Sequence, residues 1–237
     1  MKRGELKSYI RILADELTEA PEGLFYNIEL DILINVSQQN VAIALAPYIP
    51  WAITKAFLIS TTALKREYSI ETDLLLTDFF MMQGIFHNEA GNQPKELIFL
   101  EPDQVIQYRI IGKTGEPKAW SWESAGVIAL DPTPAATTAS KYKGVYVPLF
   151  KDLNNDDTQD PATDKYTIPF NGSSILTPTH PLIAADVLKQ WAIRAGGEAG
   201  DIDSMYSRTL ESVLFTMTQA QGITHRGRPN ITEIIKT

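Results

Sequence analysis

The 237-residue chain contains no cysteine, which excludes disulfides, thiolate metal sites and cysteine nucleophiles together. It suits a reducing cytoplasm, or a compartment where redox is immaterial. Long apolar runs are missing as well, none approaching the roughly 18 residues that a membrane helix needs. The opening Met1-Lys2-Arg3-Gly4 leads into a polar amphipathic stretch rather than the apolar core of a signal peptide. Neither a membrane span nor secretory export is expected. Positive charge is in deficit, with 21 Lys and Arg against 29 Asp and Glu for a net of −8. A surface of that sign does not grip nucleic acid by neutralising phosphates. Histidine is scarce: His87, His180 and His225 lie in three different polar segments, and none has the short-spaced partner of a His-Glu-x-x-His site. Surface or capping roles are expected for them, His180 capping a helix that begins near Pro181.

What is present is the composition of a folded protein: 44% hydrophobic and 21% charged residues are too apolar a mixture for a disordered chain. Leu6, Ile10, Leu13 and Leu17 share one face of a helix from about Gly4 to Leu17. After breakers at Pro21 and Gly23, Asn27 is a good N-cap. Ile28, Ile32 and Val36, with Leu33 and Ile34, predict a second helix with a broad apolar stripe, ended by Pro47 and Pro50. The period then changes. Two or more strands are expected between Ile53 and Phe86, including Leu74 to Leu76. A short helix from Pro102 follows, then a hairpin in which Trp120 and Trp122 alternate on one strand and Gly126 to Leu130 forms the other. Val145 to Phe150 and Tyr166 to Phe170 bracket the most polar loop of the chain, Lys151 to Lys165. Two helices close the chain, from Pro181 to Gly196-Gly197 and from about Ile202 to Gly222, the second with a regular alternation of apolar spacings.

The expected fold is therefore α+β, a helical bundle from both chain ends with a β-rich central region. The divisions are 1–52 (N-terminal helices), 53–178 (central region), 179–222 (C-terminal helices of the same helical body) and 223–237 (a C-terminal arm).

No pattern that carries catalysis is found. Asp152, Asn154 and Asp156 occupy ligand positions of an EF-hand-like loop, but Asp157 stands where that loop needs glycine and Thr163 where it needs glutamate. A solvated loop is expected and no metal. Asn171-Gly172-Ser173-Ser174 lacks the Gly-Lys-Ser/Thr ending of a phosphate loop, and Gly196-Gly197-Glu198-Ala199-Gly200 follows a helix rather than a strand. No Gly-x-Ser-x-Gly elbow occurs, and with 29 acidic residues, pairs of carboxylates carry no information by themselves. No cofactor is implied. Trp120 and Trp122 share a face, which suits a core or subunit contact better than a stacking platform for a ligand. The tail combines Arg226 and Arg228 with Ile231, Ile234 and Ile235, which suits either a disordered end or an arm that docks on a partner.

The order of these parts resembles the head-to-tail adaptor (connector) family of tailed bacteriophages. The segment Asn27-Ile28-Glu29-Leu30-Asp31-Ile32-Leu33-Ile34-Asn35-Val36-Ser37-Gln38-Gln39-Asn40-Val41-Ala42 is similar to that family's early helix. Lys65 to Ile70 with Asp73 is similar to its strand pair, with Glu71-Thr72 in place of the usual proline. Gly115 to Trp120 and Gly126 to Pro134 resemble its hairpin, and Gly200-Asp201 with Tyr206 its terminal helices. The resemblance covers most of residues 1 to 222 in order. It implies a structural virion protein, not an enzyme: a homo-oligomeric ring, commonly dodecameric, under the portal protein of the capsid. The ring would be assembled in the host cytoplasm, extend the DNA channel without specific DNA binding, and meet the tail or the next connector protein. The family's C-terminal arm often reaches onto the portal, which here points to Arg226, Arg228, Ile231, Ile234 and Ile235. Two other classes remain open. A virion-associated glycan hydrolase would need two carboxylates facing one cleft at about 5 to 9.5 Å. A carbohydrate- or protein-binding module would use Trp120 and Trp122.

Overall fold

The structure, a computed structural model, describes residues 1–14, 27–88, 94–108, 113–153, 169–194 and 200–220. The chain divides into two compact units, one made of Met1–Ile53 with Phe150–Thr237 and the other of Thr54–Leu149.

The first unit is helical. It holds α1 (Arg3–Leu13), α2 (Asn27–Leu45), the single turn α3 (Pro50–Ile53), two 3₁₀ segments at Phe170–Gly172 and Ser174–Thr179, and two long helices near the end of the chain. Of these, α5 spans His180–Arg194 and α6 spans Gly200–Ala220. The short helix α4 (Pro102–Tyr108) belongs to the other unit. The helical bundle expected from both chain ends is not formed, and the chain is a mixed α+β protein with several sheets in its middle. In a bundle each helix shows one apolar stripe to a shared core. Here α5 is buried at every position from Leu182 to Leu188, and α1, α2 and α6 pack around it. A helix apolar all round is an interior element, and its neighbours need only face it.

On α1 the apolar row Leu6 and Ile10 is fully buried, and so is a second row, Arg3, Lys7 and Arg11, at the same helical spacing. Asp31 of α2 neutralises part of that row. Its Oδ1 lies 2.7 Å from Arg3 Nε and 2.7 Å from Lys7 Nζ. Phe170, at the end of the second segment that brackets the polar loop, opens a 3₁₀ turn with Asn171, both at positive φ. Residues 166–168 of that segment lie outside the described residues.

His180 begins α5 and is 1% exposed, its Nδ1 2.6 Å from the α-amino group of Met1. Burial, with that ammonium beside it, pushes its pKa down to about 4. Between that value and the ordinary one near 6.5, the unfolded chain binds a proton that the folded chain does not. Stability is therefore expected to be complete above about pH 6.5 and to fall by up to about 3 kcal/mol as pH drops to 4. Urea unfolding at a series of pH values checks this, and H180Q should flatten that interval; an unchanged slope in the variant would assign the loss to other groups.

In chain order, the second unit holds β1 (Lys55–Thr61), β2 (Glu67–Ser69), β3 (Phe79–His87), β4 (Ile98–Phe99), β5 (Thr114–Gly115), β6 (Ala119–Ser124), β7 (Val127–Asp131), β8 (Thr133–Pro134) and β9 (Thr138–Pro148). One antiparallel sheet has the order β1-β9-β3, a second runs β2-β7-β6-β4, and β5 pairs with β8. Ile59, Ile85, Tyr142 and Tyr146 from the first sheet and Tyr68, Trp120, Ile128 and Leu130 from the second form one core. Leu74 to Leu76, expected as strand, is instead a turn. Asp73 fixes its entry by accepting from the Ser69 N–H at 2.8 Å, while Leu74 and Leu76 dip towards the core and Leu75 stays outside at positive φ. Arg66 clamps the second sheet, its guanidinium reaching both carboxylate oxygens of the buried Asp131 at 3.1 and 3.2 Å.

Gly144 in β9 stands opposite Phe57 of β1, and a Cβ added to it would run into the Phe57 ring. G144A is therefore expected to cost roughly 1–3 kcal/mol, since either the ring or the strand must move. Chemical denaturation measures it, and F57L in the same chain should return part of the loss.

Candidate interaction surfaces

The helix α2 has two contrasting faces. One packs inward through Leu30, Leu33, Ile34, Val41 and Leu45, accompanied by the buried polar residues Ser37, Gln38 and Gln39. Gln38 and Gln39 are satisfied by the backbone of Phe150, Lys151 and Phe170, and Ser37 by Gln190 of α5. Gln38 Oε1 accepts from the Phe170 N–H at 2.6 Å while its Nε2 donates to the Lys151 carbonyl at 3.2 Å. Gln39 accepts from the Phe150 N–H at 3.1 Å and Asn35 from the Leu153 N–H at 3.0 Å. Asn40 and Gln190 both donate to Asp186, and Gln190 also to Ser37, which ties α2 to α5.

The other face carries Ile28, Ile32 and Val36, one turn apart and 74%, 54% and 45% exposed. The sequence assigned this stripe to the interior together with Leu33 and Ile34. The structure divides it: the opposite side of the helix fills the core, and these three stay exposed. Glu29 lies at the stripe's edge and is exposed.

The outer side of α6 presents Arg208, Ser212 and Phe215 on one line, Phe215 being 56% exposed. Between this line and Pro178 and Pro181 lies a groove of about 270 Å³, lined also by Thr209, Val213 and Thr216. The inner side packs on α5, where Lys189 pairs with Asp203 at 2.9 Å and lies 5.4 Å from the centre of the Tyr206 ring. Burial, with the charge of Asp186, raises the Tyr206 phenol to about 12, so it stays neutral at physiological pH.

In the sheet unit, Trp120 is 4% exposed and belongs to the core, whereas Trp122 is 38% exposed. Their rings are 6.0 Å apart, Trp122 continues to Phe79 at 6.0 Å, and Phe79 to Tyr146 at 5.7 Å. The row holds the two larger sheets together, and only Trp122 offers an open face. A cavity of about 160 Å³ is lined by Thr61, Pro117, Pro134 and Tyr142 with Glu116 and Lys141 at its wall. Lys141 donates to Glu116 at 2.7 Å and holds that carboxyl below its usual range, and His87 Nε2 is 3.4 Å from the same carboxylate. Glu116 is the single carboxylate among the described residues of this lining, so the pair that glycan hydrolysis requires is not assembled there.

Of the other sequence candidates, His180 is a buried helix residue, and His225 lies outside the described residues. So do Arg226, Arg228, Ile231, Ile234 and Ile235. The acidic loop is described only at Lys151, Asp152 and Leu153. Among the described residues no three His, Asp or Glu side chains group as metal ligands. Sequence reasoning missed Glu29, Arg208 and Phe215. Their signal was a helix apolar on more sides than one core can use, and an aromatic in the polar arc of α6. Compared with known proteins, the sequence matches no family model, and no curated protein matches it.

Proposed function

We propose that this chain is the structural subunit of a head-to-tail connector of a tailed bacteriophage, a protein that works by assembling rather than by catalysis. The observation that carries the reading is the stripe Ile28, Ile32 and Val36, three aliphatic side chains left in water on a helix whose opposite face is already full. Such a row on an isolated chain marks a surface that another protein covers. The ordered resemblance of the sequence to the adaptor family supplies the context: a homo-oligomeric ring, commonly dodecameric, docked beneath the portal and meeting the tail on its other side. A net charge of −8 fits a channel through which DNA slides without being held. The arm residues Arg226, Arg228, Ile231, Ile234 and Ile235 are the proposed portal contact, combining apolar side chains that gain by burial with guanidinium groups that pair with carboxylates.

Negative-stain imaging of the protein alone and mixed with its portal tests the reading, with portal decoration as the expected result. Truncation after Gly222 should leave circular dichroism unchanged and abolish co-sedimentation with portal assemblies. Absence of any portal contact by the full chain overturns the proposal, and undiminished co-sedimentation of the truncated chain overturns the role of the arm.

A further inference from the structure

Building on the reading as an assembling subunit, we propose that neighbouring copies meet head to tail, the α2 stripe of one copy lying along the groove beside α6 of the next, with Glu29 against Arg208.

Three observations converge. The first is shape: the stripe is a ridge of aliphatic side chains, and the groove beside α6 is a concave strip of about 270 Å³ lined by Arg208 and Ser212, with the exposed Phe215 about one turn beyond Ser212 on the same helix. Each belongs to a helix that turns its other side to α5.

The second is charge. Glu29 flanks the ridge and Arg208 lines the groove; both are exposed, and among the described residues neither has an ion-pair partner. Copies of a protein with net charge −8 repel one another at long range, so a stable contact must place a cation of one copy against an anion of the next. Arg208 is such a cation, beside an apolar side chain.

The third is spacing. Glu29 and Val36 are seven residues apart, as are Arg208 and Phe215, which corresponds to about 10 Å along either helix. Two helices side by side can therefore bring Glu29 onto Arg208 and Val36 onto Phe215 in one register, with Ile32 between them over Ser212.

The two surfaces are different parts of one subunit, so the contact is heterologous. Repeated, it closes into a ring or runs on as a filament; it does not stop at a two-fold dimer.

The experiment is sedimentation velocity over a range of concentrations on the full chain, on E29R, on R208E and on the double variant. Both positions are exposed, and circular dichroism confirms that each variant folds. The wild type is expected to form species beyond a dimer. Each single reversal should weaken that association by about tenfold or more, and the double reversal should restore most of it. A wild type that stays monomeric at every concentration overturns the proposal, as does association that the single variants leave intact or that the double variant fails to recover. Co-sedimentation with the portal separates this contact from the functional reading. Portal binding by a chain that never self-associates removes the contact and keeps the connector, whereas charge-dependent self-association without portal binding does the reverse.

Discussion

Replacing Asp31 with asparagine is expected to cost the chain about 3 kcal/mol of stability, because it leaves two buried cations facing a neutral amide. Arg3 is 3% and Lys7 7% exposed, and both reach Asp31 at 2.7 Å. Arg3 also donates from Nη2 to the second carboxylate oxygen at 2.9 Å, a charge-assisted hydrogen bond. Asparagine keeps the shape, so no cavity forms and the change isolates the charge. A surface ion pair would lose under about 1 kcal/mol on the same treatment, since water screens it. The two outcomes are far enough apart for a urea titration to decide between them, and a loss below that lower figure would mean that solvent reaches the row. The converse variant is informative as well. Changing Arg3 and Lys7 to Met and Asp31 to Leu removes every member of the network at once, and most of the stability lost in D31N should return, because paired charges in an interior contribute little beyond what apolar packing supplies.

How far the sequence could be read depended on whether one local signal settled each element. In α6 the 3-and-4 spacing from Ile202 to Met217 has one interpretation, and the helix spans Gly200–Ala220. The hairpin β6-β7 turns at Gly126, whose φ of 75° suits glycine, and the dipeptide Asp131-Pro132 closes it. In β9 the signal is weak. Lys141 and Lys143 keep the alternation, but Gly144 has no side chain with which to continue the inner face, which only Tyr142 and Tyr146 mark. What makes it a strand of 11 residues is pairing on both edges, with β1 and with β3, information that is non-local in the chain. The candidate surface failed for a related reason. On α2 the aliphatic residues surround the helix, and periodicity cannot say which of them face α5. The polar residues held the answer: Gln38 and Gln39 are buried because the backbone of Phe150, Lys151 and Phe170 bonds to them, Ser37 because Gln190 of α5 donates to it, and their burial turns Ile28, Ile32 and Val36 outward.

That same dependence makes Gln38 the second residue whose loss should be costly. It is 1% exposed and joins α2 to two stretches 113 and 132 residues further along the chain, at Lys151 and at Phe170. Lys151 and Asn171 reinforce the junction by a backbone-to-side-chain bond of 3.2 Å, and the Phe150 and Phe170 rings pack edge to face at 5.1 Å beside it. Q38L preserves volume but strands the buried Phe170 N–H, worth about 1–3 kcal/mol when left unpaired, and takes a donor from the carbonyl of the exposed Lys151, which water can partly serve, so a loss of about 2 kcal/mol is expected. Q38E distinguishes hydrogen bonding from packing. Its carboxylate can still accept from Phe170 N–H, yet it cannot donate to the Lys151 carbonyl and it places a charge where water does not reach. It should therefore be at least as damaging at pH 7 as Q38L and recover as the pH falls and the carboxyl takes a proton, because the protonated acid can again donate. Chemical denaturation of both variants at pH 7 and pH 5 provides the comparison. If Q38L unfolds at the wild-type midpoint, the amide is not what joins the two stretches, and the aromatic pair holds the junction alone.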